Sequence, residues 1–262
     1  MTVEGQTQKY GVSWTRDELI LAFDLYCRIP FRKTKANNPE VIQLARLLRR
    51  TPASVARKLG NFGSFDPSLQ DRHVTGLVHA SKQDKSVWDE FNNNWNLLVL
   101  EARRLRGKLG EDEEERVERE NEIFMPTGAS EKDALQKSRI HQAFFRDVVL
   151  SSYESTCCIT GLNIPECLVA SHIIPWSVSE QYRTDPRNGL CLSATFDRLF
   201  ERGLIAISNG LEIQVSDRLR KQGNKKVDDM ICRYHGVPMV RPRRFLPLPA
   251  YLEWHRGNVF QE

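Results

Sequence analysis

Four side chains in the second half of the sequence have the chemistry and the order of a hydrolytic centre. His172 ends an apolar run, Asn188 starts the next, and Asp197 and Glu201 follow four residues apart. An imidazole with an unperturbed pKa near 6.5 is largely neutral at physiological pH and accepts a proton there. Two carboxylates at i and i+4 project from one side of a helix and suit a divalent cation. A base and a metal placed around one phosphodiester would hydrolyse it.

To meet, these groups need a strand, a loop, a second strand and a helix, and the sequence carries signals for each. Cys158-Ile159-Thr160-Gly161 ends in a turn glycine, and residues 167–174 form a β-favouring run broken by Pro175. The stretch Arg183-Thr184-Asp185-Pro186-Arg187-Asn188-Gly189 is dense in turn residues, after which Leu190, Leu192 and Ala194 predict a short second strand. Thr195 is expected to cap a helix over residues 196–202, which Gly203 stops. Further on, residues 204–207 and 211–215 flank Ser208-Asn209-Gly210, a hairpin signal.

In this order the residues resemble the HNH nuclease family, in the branch found among restriction endonucleases. The motifs that carry the resemblance are Cys158-Ile159-Thr160-Gly161, Ser171-His172-Ile173-Ile174-Pro175-Trp176, Asn188-Gly189-Leu190 and Phe200-Glu201-Arg202-Gly203. It extends over residues 137–262, taking in Arg139, Gln142, Phe145 and Arg146 before the hairpin and Tyr251-Leu252-Glu253-Trp254-His255-Arg256 near the end. The resemblance implies a ββα-metal fold, with His172 as the general base and Asn188 tying the loop so that the base stays oriented. Asp197 falls where the family's last letter ligates the metal, and Glu201 matches a further carboxylate position. Two departures stand out. Asp replaces His at 197, which leans toward Mg²⁺ or Mn²⁺ as cofactor. Ser171 stands where many relatives place a metal ligand. DNA is the implied partner, with restriction or anti-phage defence, alongside other defence-system proteins, as the implied biology. Arg183, Arg187 and Arg198 are candidates to approach the scissile phosphate because they are near in sequence. The departures at 171 and 197 keep open an alternative: a catalytically weak or inactive DNA-binding module that retains the fold.

The first half reads as helical. Thr15 with Glu18 forms a capping box before an apolar face of Leu19, Ala22, Phe23 and Tyr26. Asn38-Pro39 starts a second helix, and Thr51-Pro52 a third that is expected to end at Gly60. The short turn between the last two has the spacing of a helix-turn-helix similar to Myb-like and sigma-factor-like versions, with Val55 inward and Arg57 and Lys58 facing out toward nucleic acid. Any compact helical domain can contain such a turn, and docking on a partner protein is another reading of this half. A fourth helix is expected over residues 85–105, its Val87, Trp88, Phe91, Trp95, Leu98 and Val99 recurring at core spacing. The fold class expected is α+β: a helical, helix-turn-helix-like domain at 1–108, a charged linker at 109–135 and an HNH nuclease domain at 136–262.

Composition narrows the classes further. With 262 residues and 40% hydrophobic content, the chain can build packed cores. It lacks an apolar run long enough to span a bilayer and a secretory signature, which leads to the expectation of a cytoplasmic protein with no membrane partner. Six cysteines without regular spacing are expected to be reduced thiols. Residues 111–122 hold eight acids against Arg116 and Arg119, so the net charge of +4 hides an excess of +10 elsewhere. The acidic run is read as a solvated helix or linker, with occupation of a basic groove as the sharper alternative. Basic residues at Arg218, Arg220, Lys221, Lys225, Lys226, Arg241, Arg243 and Arg244 add charge that could contact phosphates.

Overall fold

The computed structural model describes residues 9, 11–72, 80–110 and 129–262, with side chains from residue 138 in the last stretch. His73, His79 and the acidic run at 111–122 lie outside the described residues. Two compact units divide the chain, Met1–Phe144 and Phe145–Glu262. Among the described residues, no helix is long and apolar enough to cross a membrane.

The first unit is built on α1 (Arg16–Arg28), whose start is the expected capping box: Thr15 Oγ1 accepts from Glu18 N, and Glu18 Oε2 accepts from Thr15 N at 2.9 Å. Every residue from Glu18 to Cys27 is buried, so this helix forms the unit's centre. Its buried charges are paired: Glu18 binds Arg50 at 2.7 Å, and Asp24 binds Arg28 at 3.0 Å and Arg106 at 3.4 Å. Around it pack α2 (Pro39–Leu48), α3 (Pro52–Gly63), α4 (Pro67–Gln70), α5 (Lys82–Phe91) and α6 (Trp95–Lys108). Asn38 and Thr51 cap α2 and α3 as expected, and α3 runs three residues past Gly60. The single helix expected over 85–105 is two helices. Asn92-Asn93-Asn94 breaks it, because three successive amides compete with the backbone ladder. Phe23, Tyr26, Phe62 and Trp88 form one aromatic core with centroids 5.1–6.2 Å apart, so the aromatic stripe is packing.

The second unit begins within α7 (Ala129–Ser152), which sends Phe145 and Val149 into its core. Strand β1 (Leu168–His172) pairs antiparallel with β2 (Gly189–Ser193), setting His172 opposite Gly189 and Ser171 opposite Leu190. Helix α8 (Ala194–Glu201) follows β2 without a break, giving the expected strand, loop, strand, helix order. It starts two residues earlier than expected, with Ser193 and not Thr195 at its N-cap. Phe196 and Phe200 anchor α8 in the core, and Asp197 is left half-buried with Glu201 exposed beyond it. Gly203 ends the helix in the left-handed region at φ +67, where a Cβ would sit 1.9 Å from Val259 O. The expected hairpin is β3 (Ile205–Ile207) paired with β4 (Ile213–Val215). Then come α9 (Asp217–Arg220), α10 (Lys225–Met230) and α11 (Pro249–Asn258).

Candidate active site

His172 is the last residue of β1, where a strand gives way to the long loop at 173–188, so its side chain leaves the sheet at an edge. Three contacts fix the ring. Phe145 stacks against it at 3.7 Å between centroids and 9° between planes. Trp176 meets it edge-on at 5.6 Å. Its Nε2 lies 3.0 Å from the Arg183 carbonyl, an acceptor only, so Nε2 carries the proton and Nδ1 keeps the lone pair. Burial pushes the pKa down from 6.5 to about 4, outweighing the Arg183 carbonyl, which raises it. The imidazole is therefore neutral at physiological pH, the form that can accept a proton.

Asn188 is fully buried, and its side chain is spent on the loop backbone. Its Oδ1 accepts from Ile174 N at 2.8 Å, while Nδ2 donates to Ile174 O at 3.1 Å and to Tyr182 O at 3.2 Å. One amide thus bridges both ends of the loop that carries the Arg183 carbonyl. Gly189 follows it because nothing larger fits: a Cβ there would lie 2.3 Å from Val149 Cγ2 and 2.9 Å from the Phe145 ring that supports His172.

Asp197 sits on the first turn of α8 and Glu201 one turn later. Burial raises the Asp197 pKa, as does the Glu201 charge, while Ser171 and Arg198 pull it down. Ser171 Oγ is buried and approaches Asp197 without reaching regular hydrogen-bond geometry to any partner. An orphaned hydroxyl beside a carboxylate whose charged form burial and a neighbouring acid disfavour fits a hard divalent cation, whose charge would relieve that carboxylate. Among the described residues, no three His, Cys, Asp or Glu groups converge on a common metal position. The groups here that could hold a cation are two carboxylates and a hydroxyl, a set that would need water and substrate oxygens to complete a shell. The cysteines do not add to it: all six are free, Cys158 and Cys191 are buried side by side, and Cys167 is exposed.

The arginines divide by engagement. Arg183 lies over the Trp176 ring at 4.9 Å, donates from Nε to Trp176 O at 3.1 Å and pairs with Glu180 at 3.0 Å, so it braces the aromatic wall beside His172. Arg187 is held by Asp185 at 2.7 Å. Arg198 pairs with Glu201 at 3.2 Å on an exposed face. Arg244, expected as surface charge, is buried, with Nη2 donating to Ser151 Oγ at 3.0 Å. In the first unit Arg57 is exposed. Lys58 does not face out as expected: its ammonium binds Asp84 at 2.9 Å and lies over the Trp14 ring, because Asp84, the buried acid of the α5 capping box, needs a cation.

Sequence reasoning did not find the wall that shapes the base. Phe145, Trp176 and Tyr251 lie in stretches that carry the family resemblance and Asp185 in the turn-rich segment, but none of them has a role assigned by it. Their contacts with His172 and its loop depend on folding, and local spacing gives no signal for them.

Residues 157–208 match the family model described as HNH endonuclease. No curated protein sequence matches the chain. The matched residues contain both strands of the ββ pair, the loop between them, α8 and all four candidate side chains.

Proposed function

We propose that this chain, whose residues 157–208 belong to the HNH endonuclease family, is a metal-dependent endonuclease that hydrolyses DNA phosphodiester bonds. The observation that carries this reading is the contact of His172 Nε2 with the Arg183 carbonyl at 3.0 Å, from which its tautomer follows. With Nε2–H held by the Arg183 carbonyl and the ring clamped by Phe145 and Trp176, Nδ1 is the one nitrogen left to accept a proton.

In the reaction, Nδ1 of His172 takes a proton from water as the water oxygen bonds to phosphorus. The P–O3′ bond breaks, and the departing oxygen takes a proton from solvent. Asn188 acts through the loop, keeping the Arg183 carbonyl against Nε2. Asp197 and Glu201, with Ser171 beside them, would hold the cation, and their oxygen character favours Mg²⁺ or Mn²⁺. That cation supplies stabilisation of the negative charge that builds on the phosphate and leaving oxygen. Arg57, exposed on the first unit, and Arg183 and Arg198, paired with Glu180 and Glu201 on the second, would add positive charge for the DNA backbone. A role in restriction or anti-phage defence rests on the family resemblance.

Ser171 at a ligand position favours a second reading, a DNA-binding module with little activity. Supercoiled plasmid incubated with Mg²⁺, Mn²⁺ or chelator separates the two. Metal-dependent nicking is expected, with His172→Ala cutting the rate by about 10²–10⁴ while DNA retention is unchanged. Full cleavage by His172→Ala would remove the base assignment, and DNA retention without cleavage under any metal would establish the second reading.

A further inference from the structure

The loop that orients His172 is gripped from behind by the C-terminal helix, and we infer that Tyr251 and Asp185 are positioning residues for the base. The inference rests on the reading of His172 as general base. The Arg183 carbonyl that receives Nε2–H is fixed on both sides. On one side Asn188 Nδ2 holds the Tyr182 carbonyl at 3.2 Å. On the other, Asp185 caps the 3-10 turn Pro186–Asn188: its Oδ1 accepts from Arg187 N at 2.9 Å, and its backbone carbonyl accepts from Asn188 N at 2.9 Å.

Asp185 is in turn held by α11. Tyr251 Oη, 66 residues away in sequence, donates to Asp185 Oδ2 at 3.1 Å, and the Tyr251 ring lies 5.1 Å from that of Tyr182. Leu248 N, at the start of the same helix, donates to Arg187 O at 3.3 Å. Burial, and next the Asp185 charge, raise the Tyr251 pKa, so the phenol remains a donor throughout the working range. Arg187 already neutralises Asp185, with Nη2 at 2.7 Å. What the hydroxyl adds is direction. It ties Oδ2, which Arg187 Nη2 also holds, to α11, while Oδ1 takes the Arg187 amide and Nε at 2.9 Å each; that tie holds the tilt of the turn against the helix and hence the position of the Arg183 carbonyl. Both partners are buried, so this bond is not readily exchanged for one to water. If the carbonyl moves, Nε2–H loses its acceptor and the ring is free to place its proton on Nδ1, where it cannot act as base.

Tyr251→Phe keeps the ring against Tyr182 and removes only the hydroxyl. In the full chain, ¹⁵N NMR of the His172 ring is expected to lose the pure Nε2–H signature of the wild type. In the same variant, kcat for plasmid cleavage is expected to fall about tenfold or more with KM for DNA unchanged. Asp185→Asn, which weakens the same contacts while keeping the side-chain shape, is expected to shift the His172 nitrogens in the same direction. Unchanged His172 nitrogen shifts in both variants would overturn the inference, whatever happens to the rate or to Tm. Cleavage by His172→Ala would defeat the base reading instead, and the spectra would still report on the brace.

Discussion

His172 and His255 share a setting and differ in what they can do. Each ring stacks on a phenylalanine at 3.7 Å, Phe145 for one and Phe200 for the other, and each has Nε2 within about 3 Å of a backbone carbonyl. Burial pushes both pKa values to about 4. Only access separates them: His255 is 2% exposed with Nδ1 unpartnered in the core, whereas His172 stands partly open at the end of β1. The depressed pKa is therefore a product of burial, and the base role proposed for His172 rests on the access of its Nδ1. It follows that the base is neutral well below pH 6.5. An NMR titration is expected to place His172 near 4, and kcat/KM is expected to show no acid limb near 6.5; a limb there with a matching His172 titration would contradict the burial seen. Asp197 makes a separate prediction. Burial and the Glu201 charge disfavour its carboxylate, so Asp197→Asn removes the more buried of the two carboxylates proposed to hold the metal. Calorimetry is expected to show Mn²⁺ affinity lower by about 10–100-fold, the range for groups that hold or orient a metal. Equal affinity would place the ion elsewhere.

At the scale of elements, α8 is the piece that must not move, because it carries both carboxylates and packs on β2 through Phe196 and Phe200. Its end is set by Gly203, whose positive φ and 1.9 Å Cβ approach to the Val259 carbonyl leave no room for a side chain. Gly203→Ala is expected to cost about 1–3 kcal/mol in urea denaturation, and a midpoint equal to wild type would show that the C-terminal strand of contacts is slack. That glycine was readable in the sequence, as were the caps at Thr15, Asn38 and Thr51, since each is a local rule in which a residue type meets a backbone requirement. The strand, loop, strand, helix order was readable for the same reason. What spacing concealed came from two causes. The apolar stripe of α5 and α6 stays in register across Asn92–Asn94, so periodicity ran on where the backbone did not. Lys58 has the spacing of an outward residue, yet a buried acid from a distant capping box draws it inward. The Phe145 stack and the Tyr251 brace belong to this second kind, contacts made only once the chain has folded.

At the scale of the whole molecule, the two units hold their buried ionisable groups in opposite ways, and acid should separate them. In the second unit, His172 and His255 have folded pKa values of about 4 against 6.5 when exposed. The unfolded chain binds their protons first, so the stability they confer is complete above pH 6.5 and is lost as pH falls from there toward 4. Between those limits each group lowers stability by up to ~1.4 kcal/mol per pH unit. In the first unit two buried carboxylates are held the other way. Burial alone would raise Glu18 and Asp84, but Arg50, Lys9 and the Thr15 amide hold Glu18 below its ordinary 4.5, and Lys58, the Ser81 amide and Asn61 hold Asp84 below 3.8. Their contribution is intact above about those values and fails only as pH drops through the lower folded ones. Thermal melts from pH 7 to pH 3 are therefore expected to show the transition of the second unit moving to lower temperature from about pH 6.5, with that of the first holding until near pH 4.5. Fluorescence assigns them, because Trp14, Trp88 and Trp95 report the first unit and Trp176 and Trp254 the second. His255→Phe, which keeps a flat ring against Phe200 without a titrating nitrogen, is expected to make the second transition less sensitive to pH in this window. If both transitions fell together from pH 6.5, or the substitution left the slope unchanged, the buried histidines would not be what acid attacks.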